Sequence, residues 1–213
     1  MSKVSIIVPA LNEAVGIASC LEEITRLMSD SKFDYEVIVI DDGSNDGTYL
    51  VSNNLVKNNA KIKLIKNNVN LRKGHAVKKG LRSASGDFIA FTDADFSMHP
   101  KQFTSFLSKL KEADAVIGSK RNPKPVINYP SHRKFLSRGF NLLVRMYPML
   151  LTKSYTFDVE LLINVYRQGY RIVEAPIILR HWKERLGVRD ILRLAIDLLP
   201  IFYRFNPSRS YVS

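Results

Sequence analysis

Short apolar runs alternate with segments of helical periodicity throughout the first 119 residues, and this alternation restricts the fold more than any other feature of the chain. The runs at residues 4–8, 36–40, 61–65, 88–91 and 115–117 have the length of buried strands. Between them, the apolar spacing predicts helices that begin at Asn12 or Glu13, after Thr48, near Gly74 and at about Pro100. Elements that alternate in this way form βαβ units around a mostly parallel sheet flanked by helices, so the expected fold class is α/β.

Polar segments follow the ends of these strands. Pro9 is expected to stop the first strand, and the polar segments comprise residues 9–13, 41–48, 72–74 and 93–97. The carboxyl ends of parallel strands meet at one edge of the sheet, and ligands bind beyond that edge. We therefore expect the four segments to gather at a single binding edge.

Asp93 and Asp95 stand one residue apart after the fourth apolar run. If the strand extends to them, they share a face, because side chains alternate along a strand. Two carboxylates held in this way suit Mg²⁺ or Mn²⁺, which also takes oxygen ligands from a bound phosphate. Taken alone, the pair is also typical of a turn that ends a strand.

The positive charge of the chain is concentrated in its second part. Residues 1–119 contain 15 lysines and arginines against 14 acidic residues, whereas residues 120–213 contain 17 against 6. This asymmetry indicates a polyanionic partner, such as nucleic acid, an anionic membrane or a phosphorylated acceptor. No nucleic-acid-binding motif accompanies the charge, so no nucleic-acid partner is expected.

Cysteine content and hydropathy bear on the compartment. Cys20 is the single cysteine, which excludes an intramolecular disulfide, and its position on an apolar helix face indicates a buried structural thiol. Residues 1–3 lead directly into the first strand, and no apolar run approaches the roughly 18 residues of a membrane span. We therefore expect a cytoplasmic protein without a signal peptide.

Beyond Gly118 the pattern changes to helices separated by irregular segments. Helices are expected at residues 132–147, 157–168 and 188–205, and a strand at 171–179, where Pro176 indicates an edge or a bulge. The last helix combines an apolar face with Arg189 and Arg193. The basic C-terminal segment 188–213 therefore either packs on the core or lies as an amphipathic helix on a membrane surface.

Together these motifs resemble those of family 2 glycosyltransferases of the GT-A (Rossmann-like) fold, over nearly the whole chain. The resemblance is carried by IVPALNE at 7–13, IDDGS at 40–44, DGT at 46–48, RKGHA at 72–76, DAD at 93–95, GSKR at 118–121 and YTFDVE at 155–160. Within the family, DADFS at 93–97 and SYTFD at 154–158 are most similar to the motifs of polyprenyl- or dolichyl-phosphate glucosyltransferases. Dolichyl-phosphate mannose synthases come next.

The resemblance implies a glycosyltransferase domain at residues 1–187, in which 1–119 bind the nucleotide sugar and 120–187 the acceptor. The residues implied to bind UDP-glucose, or else GDP-mannose, are Pro9, Ala10, Asn12, Glu13, Asp42, Lys73, Asp93 and Ala94. Asp42 would accept hydrogen bonds from the base or ribose, unless it only caps a turn. Lys73 would lie near the diphosphate, unless it is a solvated surface lysine. Asp93 and Asp95 would hold the Mg²⁺ or Mn²⁺ ion, and Ser97 replaces a glutamine ligand of mannosyl relatives.

The resemblance also implies an acceptor site. Arg121, Arg133, Ser137 and Arg138 match positions that bind the acceptor phosphate in lipid-phosphate relatives, and the planar guanidinium suits that role. A solvated basic helix face is the alternative. The implied reaction is inverting transfer of a hexose to polyprenyl or dolichyl phosphate, by a chain attached peripherally to the cytoplasmic face of a membrane. Asp95, Arg121, Arg133 and Ser137 are the implied catalytic residues, and an acceptor phosphate is already anionic at neutral pH.

One departure from the family pattern concerns the acceptor half. Relatives carry a stretch containing Asp-Thr-Gln-Cys-Gly-Phe-Lys before the Tyr-Thr-Phe-Asp segment, whereas here residues 146–153 lead directly to Ser154. Two alternatives therefore stay open. One is a transferase with another donor or a saccharide acceptor, and the other is a catalytically silent scaffold that binds a nucleotide sugar.

Overall fold

The computed structural model describes residues 1–95, 100–110, 112–119, 157–158, 161–162, 165, 168–177 and 196. Its elements are β1 (Lys3–Ala10), α1 (Ile17–Ser29), β2 (Asp34–Asp41), α2 (Thr48–Asn58), β3 (Ile62–Lys66), α3 (Lys73–Ser83), β4 (Phe88–Phe91), α4 (Pro100–Lys109), β5 (Ala115–Ser119) and β6 (Ile172–Pro176). They fall into two compact units, Met1–Ser105 with Leu179–His181 and Phe106–Ile178 with Trp182–Ser213. The expected helix at 132–147 lies outside the described residues.

The first unit is built on a four-stranded sheet with the order β3-β2-β1-β4, in which all neighbouring strands are parallel. The expected α/β sheet is therefore confirmed. From β1 the chain moves outward to β2 and β3, and then returns to place β4 on the other side of β1. The carboxyl ends of β1 and β4 consequently border the switch point at which open parallel sheets bind ligands.

Helices cover this sheet because both of its faces are apolar. One face is buried in a cluster of Ile7, Ile38, Ile40 and, from α3, Ala76. Helix α3 lies so close to β1 that a Cβ at Gly80 would collide with Ile7. On α1, the predicted apolar face is confirmed, since its buried residues are Ile17, Cys20, Leu21, Ile24 and Met28. Each large apolar side chain buried in this way stabilises the unit by roughly 1.5–3 kcal/mol.

Pro9 does not stop β1, which continues to Ala10. Proline lacks an N–H, so within a sheet it needs a position where no ladder partner is required. The carbonyl of Ile7 accepts a hydrogen bond from Thr92 on the β4 side, and Pro9 faces the same side two residues later. Pairing between β1 and β4 ends at Ile7 with Phe91. The absence of an N–H at Pro9 therefore removes no hydrogen bond of the sheet, because the pairing with β4 has already ended there.

Helix α1 begins at Ile17, not at Asn12 or Glu13 as expected. Asn12 has a positive φ of 55°, which a helix does not accept. The backbone N–H groups of Asn12 and Glu13 donate to side chains that follow β2, at Ser44 and Thr48. These contacts between distant parts of the chain delay the helix, and local spacing could not predict them.

At the opposite, amino-terminal edge of the sheet, the buried carboxylate of Glu36 accepts several hydrogen bonds. Its Oε1 accepts from Ser5 Oγ at 2.7 Å and from the N–H and Oγ of Ser85 at 2.8 Å each. Its Oε2 accepts from Lys63 Nζ at 2.6 Å. Burial opposes ionisation, but the bonds from Lys63, Ser5 and Ser85 outweigh it and hold the pKa of Glu36 well below its usual range. The network ties the segment before β4 to β1 and β2.

In the second unit, β5 and β6 pair in parallel as a two-stranded sheet. Pro176 is the last residue of β6, and among the described residues β6 pairs only with β5, as the expected edge position requires. The described residues of the expected helix at 157–168 that precede Gln168 are helical. None of the helices in the described part of the chain has the length and apolar composition needed to cross a bilayer.

Candidate functional site

The segments that follow β1 and β2 are joined by hydrogen bonds beyond the carboxyl ends of their strands. Asn12 N–H donates to Ser44 Oγ at 3.0 Å, and Asn12 Oδ1 accepts from Asn45 N–H at 3.0 Å. Glu13 N–H donates to Thr48 Oγ1 at 2.8 Å. The two segments therefore form one edge surface, as expected from a parallel sheet.

Asp46 holds this surface together from the β2 side. Its Oδ1 accepts from Thr48, through both Oγ1 at 2.5 Å and the backbone N–H at 3.0 Å, and its Oδ2 accepts from Ala14 N–H. The hydrogen bond from the Thr48 side chain is the main cause that lowers the pKa of Asp46. Asp46 therefore stays ionised, and it fixes the start of α2 against the segment that precedes α1.

Asp42 follows β2 and is buried, with 3% of its surface exposed. Its Oδ1 accepts from Asn67 Nδ2 at 2.7 Å and from Leu71 N–H at 3.1 Å. Gly43 has a φ of +78°, and a Cβ there would lie 2.6 Å from the Val69 carbonyl carbon. The turn after β2 is thus pressed against the segment after β3, and Asp42 is held by that segment.

Three polar residues of this edge were not among the predicted site residues. Asp41 is fully buried, and its Oδ1 accepts from Ser44 N–H at 3.1 Å, which shapes the turn. Its Oδ2 has no hydrogen-bond partner within the part of the chain that the structure describes. Asn67 and Lys79 bond to each other at 2.6 Å. Asn67 directly follows β3, so the rule that selected the other segments could have found it.

Asp93 and Asp95 lie in the turn beyond β4, which ends at Phe91. The strand does not extend to them, because the last ladder bond, from Thr92 N–H to the Ile7 carbonyl, precedes them, so the turn and not strand alternation places the two carboxylates. Both residues are exposed while Ala94 between them is buried. Two carboxylates are thus accessible from solvent beside the β1–β4 switch point.

Lys73, the first residue of α3, forms an ion pair with Asp93, in which Nζ and Oδ1 are 2.8 Å apart. Helix α3 has no acidic residue in its own first turn, so the helix itself supplies no negative charge at its positive end. The structure thus brings together a lysine, a helix N-terminus and an exposed carboxylate. Hard oxygen ligands of this kind fit Mg²⁺ or Mn²⁺.

The thiol of Cys20 lies beneath this turn, with Sγ 3.9 Å from the Asp93 carbonyl oxygen. Burial, followed by the negative charge of Asp95, raises the pKa of Cys20 to about 12. The thiol is therefore neutral at physiological pH and unsuited to nucleophilic attack. The expected buried structural role of Cys20 is confirmed.

The predicted acceptor residues Arg121, Arg133, Ser137 and Arg138, and also Ser97, lie outside the described residues. Within the described ranges, no group of three or more His, Cys, Asp or Glu side chains is arranged to hold a metal ion. The site that the structure describes is therefore the half that contains Asp42, Lys73, Asp93 and Asp95.

The sequence was compared with models of known protein families. The model of glycosyl transferase family 2 matches residues 5–171. The chain belongs to glycosyl transferase family 2. The resemblance inferred from the motifs is thereby confirmed, and the edge surface described above is the corresponding part of a family 2 transferase fold.

Two curated relatives are similar to this family 2 chain. A dolichyl-phosphate beta-glucosyltransferase of Trichomonas vaginalis is 26% identical over 241 residues, covering 94% of this chain and 71% of the relative. One of Dictyostelium discoideum is 27% identical over 245 residues, covering 94% and 74%. Both alignments are longer than the 213-residue chain, so the relatives contain residues that have no counterpart here.

Solved structures of nucleotide-sugar enzymes share the fold. Glucosyl-3-phosphoglycerate synthase of Mycobacterium tuberculosis, in complex with UDP, has a TM-score of 0.68 at 19% identity, covering 94% of this chain and 80% of that one. Its complex with Mn²⁺, UDP and glucosyl-3-phosphoglycerate has a TM-score of 0.64 at 17% identity, covering 95% and 79%. Mannosyltransferase PcManGT of Pyrobaculum calidifontis, with GDP-Man and Mn²⁺, has a TM-score of 0.62 at 20% identity, covering 95% and 64%. At these identities the likeness establishes the fold alone.

Proposed function

We propose that this chain is a metal-dependent, inverting hexosyltransferase that moves a sugar from a nucleotide donor to polyprenyl or dolichyl phosphate. UDP-glucose is the favoured donor and GDP-mannose the next. The observation that carries the proposal is the pairing of Lys73 with Asp93 at the β1–β4 switch point, beside a second exposed carboxylate, Asp95. Family membership and the names of the two curated relatives support the reaction class and the lipid phosphate.

The nucleoside would bind where the segments after β1 and β2 are joined. Pro9, Ala10, Asn12 and Glu13 would line one side of it, and Asp42 would accept a hydrogen bond from the base or ribose. Uracil and guanine both carry N–H groups and ribose carries hydroxyls, and a carboxylate at neutral pH acts only as an acceptor. The burial of Asp42 supports this role, since a bond made away from water is strengthened.

Asp93 and Asp95 would hold the Mg²⁺ or Mn²⁺ ion, and Ala94 would lie between them against the donor. When bound, such a metal neutralises charge on the departing nucleoside diphosphate. Lys73 would face the same diphosphate from the start of α3, where the helix dipole also favours an anion. Two enzymes of the same fold have Mn²⁺ in their nucleotide complexes, which supports this choice of metal.

The acceptor phosphate would be bound by Arg121, Arg133, Ser137 and Arg138. Guanidinium groups bind phosphate through paired donors, and an anionic phosphate oxygen can attack the anomeric carbon without a strong general base. We propose the same division as the motifs do, with donor binding in residues 1–119 and acceptor binding in 120–187. Residues 188–213 would lie as a basic amphipathic helix on the cytoplasmic face of a membrane, where a lipid acceptor is found.

A second candidate is a silent scaffold that binds the nucleotide sugar without transferring it. It is favoured by the excess length of the alignments with the two relatives, together with the absent Asp-Thr-Gln-Cys-Gly-Phe-Lys stretch. The accessible Asp93 and Asp95 favour the enzyme, because a scaffold has no need of a metal at the leaving group.

The test is incubation of the chain with labelled UDP-glucose or GDP-mannose, Mn²⁺ or Mg²⁺, and a polyprenyl phosphate. We expect a labelled lipid product with one donor, and its loss in Asp95→Ala. Asp30→Ala, which removes an exposed carboxylate at the end of α1, is the matched control and should keep full activity. Undiminished transfer by Asp95→Ala would refute the metal role. Nucleotide binding without product from any donor would instead favour the scaffold.

A further inference from the structure

The side chain of Asn67 connects Asp42 to a lysine of α3. Asn67 is buried, with 4% of its surface exposed, in the turn that follows β3. Its Nδ2 donates to Asp42 Oδ1 at 2.7 Å, and its Oδ1 accepts from Lys79 Nζ at 2.6 Å. The three residues therefore form a continuous chain of hydrogen bonds from α3 to the end of β2.

Only one orientation of the Asn67 amide satisfies both neighbours. A lysine ammonium has donors and no acceptor, whereas an ionised carboxylate has acceptors and no donor. If the amide turned over, its NH₂ group would face Lys79 and its oxygen would face Asp42, and both contacts would become repulsive. Lys79 thus selects the orientation in which Asn67 donates to Asp42.

Other contacts fix the position of this chain of bonds. Lys79 Nζ also donates to the Lys66 carbonyl at 3.1 Å, and Asn67 N–H donates to the Asp41 carbonyl at 2.8 Å. The Leu71 N–H adds a second bond to Asp42 Oδ1. Within the part of the chain that the structure describes, these bonds use Asp42 Oδ1 and leave Oδ2 for a ligand.

We propose that Asn67 and Lys79 are positioning residues of the donor site, which hold Asp42 so that its Oδ2 meets the nucleoside. The inference rests on the proposed role of Asp42 in donor binding. Neither residue contacts the ligand in this scheme, and each acts through the Asp42 carboxylate. Charge-assisted bonds at both ends of the Asn67 amide make the arrangement rigid.

The experiment compares Lys79→Met with Arg82→Met, which removes an exposed cation from the same helix. Affinity for UDP, with GDP as the second probe, is measured by calorimetry at fixed Mn²⁺, and thermal unfolding is followed in parallel. We expect Lys79→Met to bind about tenfold more weakly, as the loss of one charge-assisted bond implies. Arg82→Met should remain within about twofold of the wild type.

A double-mutant cycle separates positioning from general destabilisation. Asp42→Asn keeps an acceptor for Asn67 and Leu71 but replaces the ligand-facing oxygen with a donor, so it should itself weaken UDP binding. In that background, we expect Lys79→Met to have no further effect beyond about twofold. An undiminished effect of Lys79→Met in Asp42→Asn would show that Lys79 acts by another route and would overturn the inference.

A readout without nucleotide completes the test. In the wild type, the Asn67 side-chain amide should give a nitrogen–proton signal shifted by its bond to the carboxylate, and Lys79→Met should move it while Arg82→Met should not. An unmoved signal together with control-like UDP affinity would overturn the inference alone. A wild-type chain that binds neither UDP nor GDP would overturn the proposed function, and the donor-site role of Asn67 and Lys79 with it.

Discussion

Nζ of Lys73 lies 2.8 Å from Oδ1 of Asp93, which joins the first residue of α3 to the turn after β4. The strands that precede these two residues, β3 and β4, are at opposite edges of the sheet. Helix α3 connects β3 to β4 and packs across β1 and β2, which lie between those two strands. The ion pair therefore depends on the return crossover, and a divalent cation at Asp93 would compete with the ammonium for that carboxylate.

We predict that Lys73→Met separates metal binding from nucleotide binding. Without nucleotide, removal of the competing ammonium should strengthen Mn²⁺ binding by up to about fivefold, the range for a partly exposed ion pair. With UDP present, the same variant should bind the nucleotide about tenfold more weakly, because it lacks the cation that we propose faces the diphosphate. Electron paramagnetic resonance of Mn²⁺ and calorimetry with UDP measure the two effects. Weaker Mn²⁺ binding by the variant in the absence of nucleotide would contradict the competition.

Gly43 and Gly47 provide a matched pair for testing the contact between the segments after β2 and β3. Both have positive φ, at +78° and +91°, but only Gly43 has backbone atoms where a Cβ would lie. We predict that Gly47→Ala costs about 1–2 kcal/mol of unfolding free energy, from backbone strain alone. Gly43→Ala should cost roughly 2–4 kcal/mol and also weaken UDP binding, since collision adds to strain. Urea denaturation measures both free energies, and equal costs would show that the segment after β3 moves aside and that the collision adds nothing to the backbone strain.

The alternation of strands and helices could be predicted because β1 and β2 are buried on both faces, which gives each an uninterrupted apolar run, at residues 6–8 and 37–40. The apolar face of α1 was predicted correctly for the same reason, since burial selects residues at helical spacing. The predicted start of α1 and the predicted end of β1 were wrong, because contacts between distant segments of the chain determine both positions. The start of α1 depends on bonds to Ser44 and Thr48, and Pro9 is accepted because the ladder of β4 ends beside it.

Within the candidate site, the sequence indicated which residues follow the strands but not which of them touch. The pairing of Lys73 with Asp93 requires that α3 cross the sheet from β3 to β4. This strand order cannot be predicted from the local sequence around either residue. Asn67 lies in a polar stretch with Asn68 and Asn70, and composition alone does not distinguish the buried asparagine from its neighbours. Its position after β3 could have drawn attention to Asn67, but the fold is needed to show that it lies between Asp42 and Lys79.

The lowered pKa of Glu36 leads us to predict how the stability of the protein depends on pH. Its pKa is lowered by folding, so the stabilisation is present above the ordinary pKa of a glutamate and is lost as the pH falls below it. We expect the wild type to lose stability on acidification below about pH 5, and Glu36→Gln to show a flatter dependence there. At pH 7 the variant should be less stable by roughly 2–4 kcal/mol, because Lys63 loses its buried partner. Denaturation at several pH values, with the exposed Glu22→Gln as control, measures this. Parallel pH profiles for wild type and Glu36→Gln would refute the assignment.

The burial of Cys20 leads us to predict that its thiol is modified slowly in the folded chain. Its thiol is buried beneath the turn that contains Asp93, and burial together with the charge of Asp95 raises its pKa to about 12. Because the thiolate is the reactive form, modification at pH 8 should be at least about a hundredfold slower in the native chain than in urea. A metal ion at Asp93 and Asp95 would offset the negative charge that opposes the thiolate, but burial would remain. Saturating Mn²⁺ should therefore leave modification slow, and rapid labelling of the native, metal-loaded chain would show that the turn opens when the carboxylates are engaged.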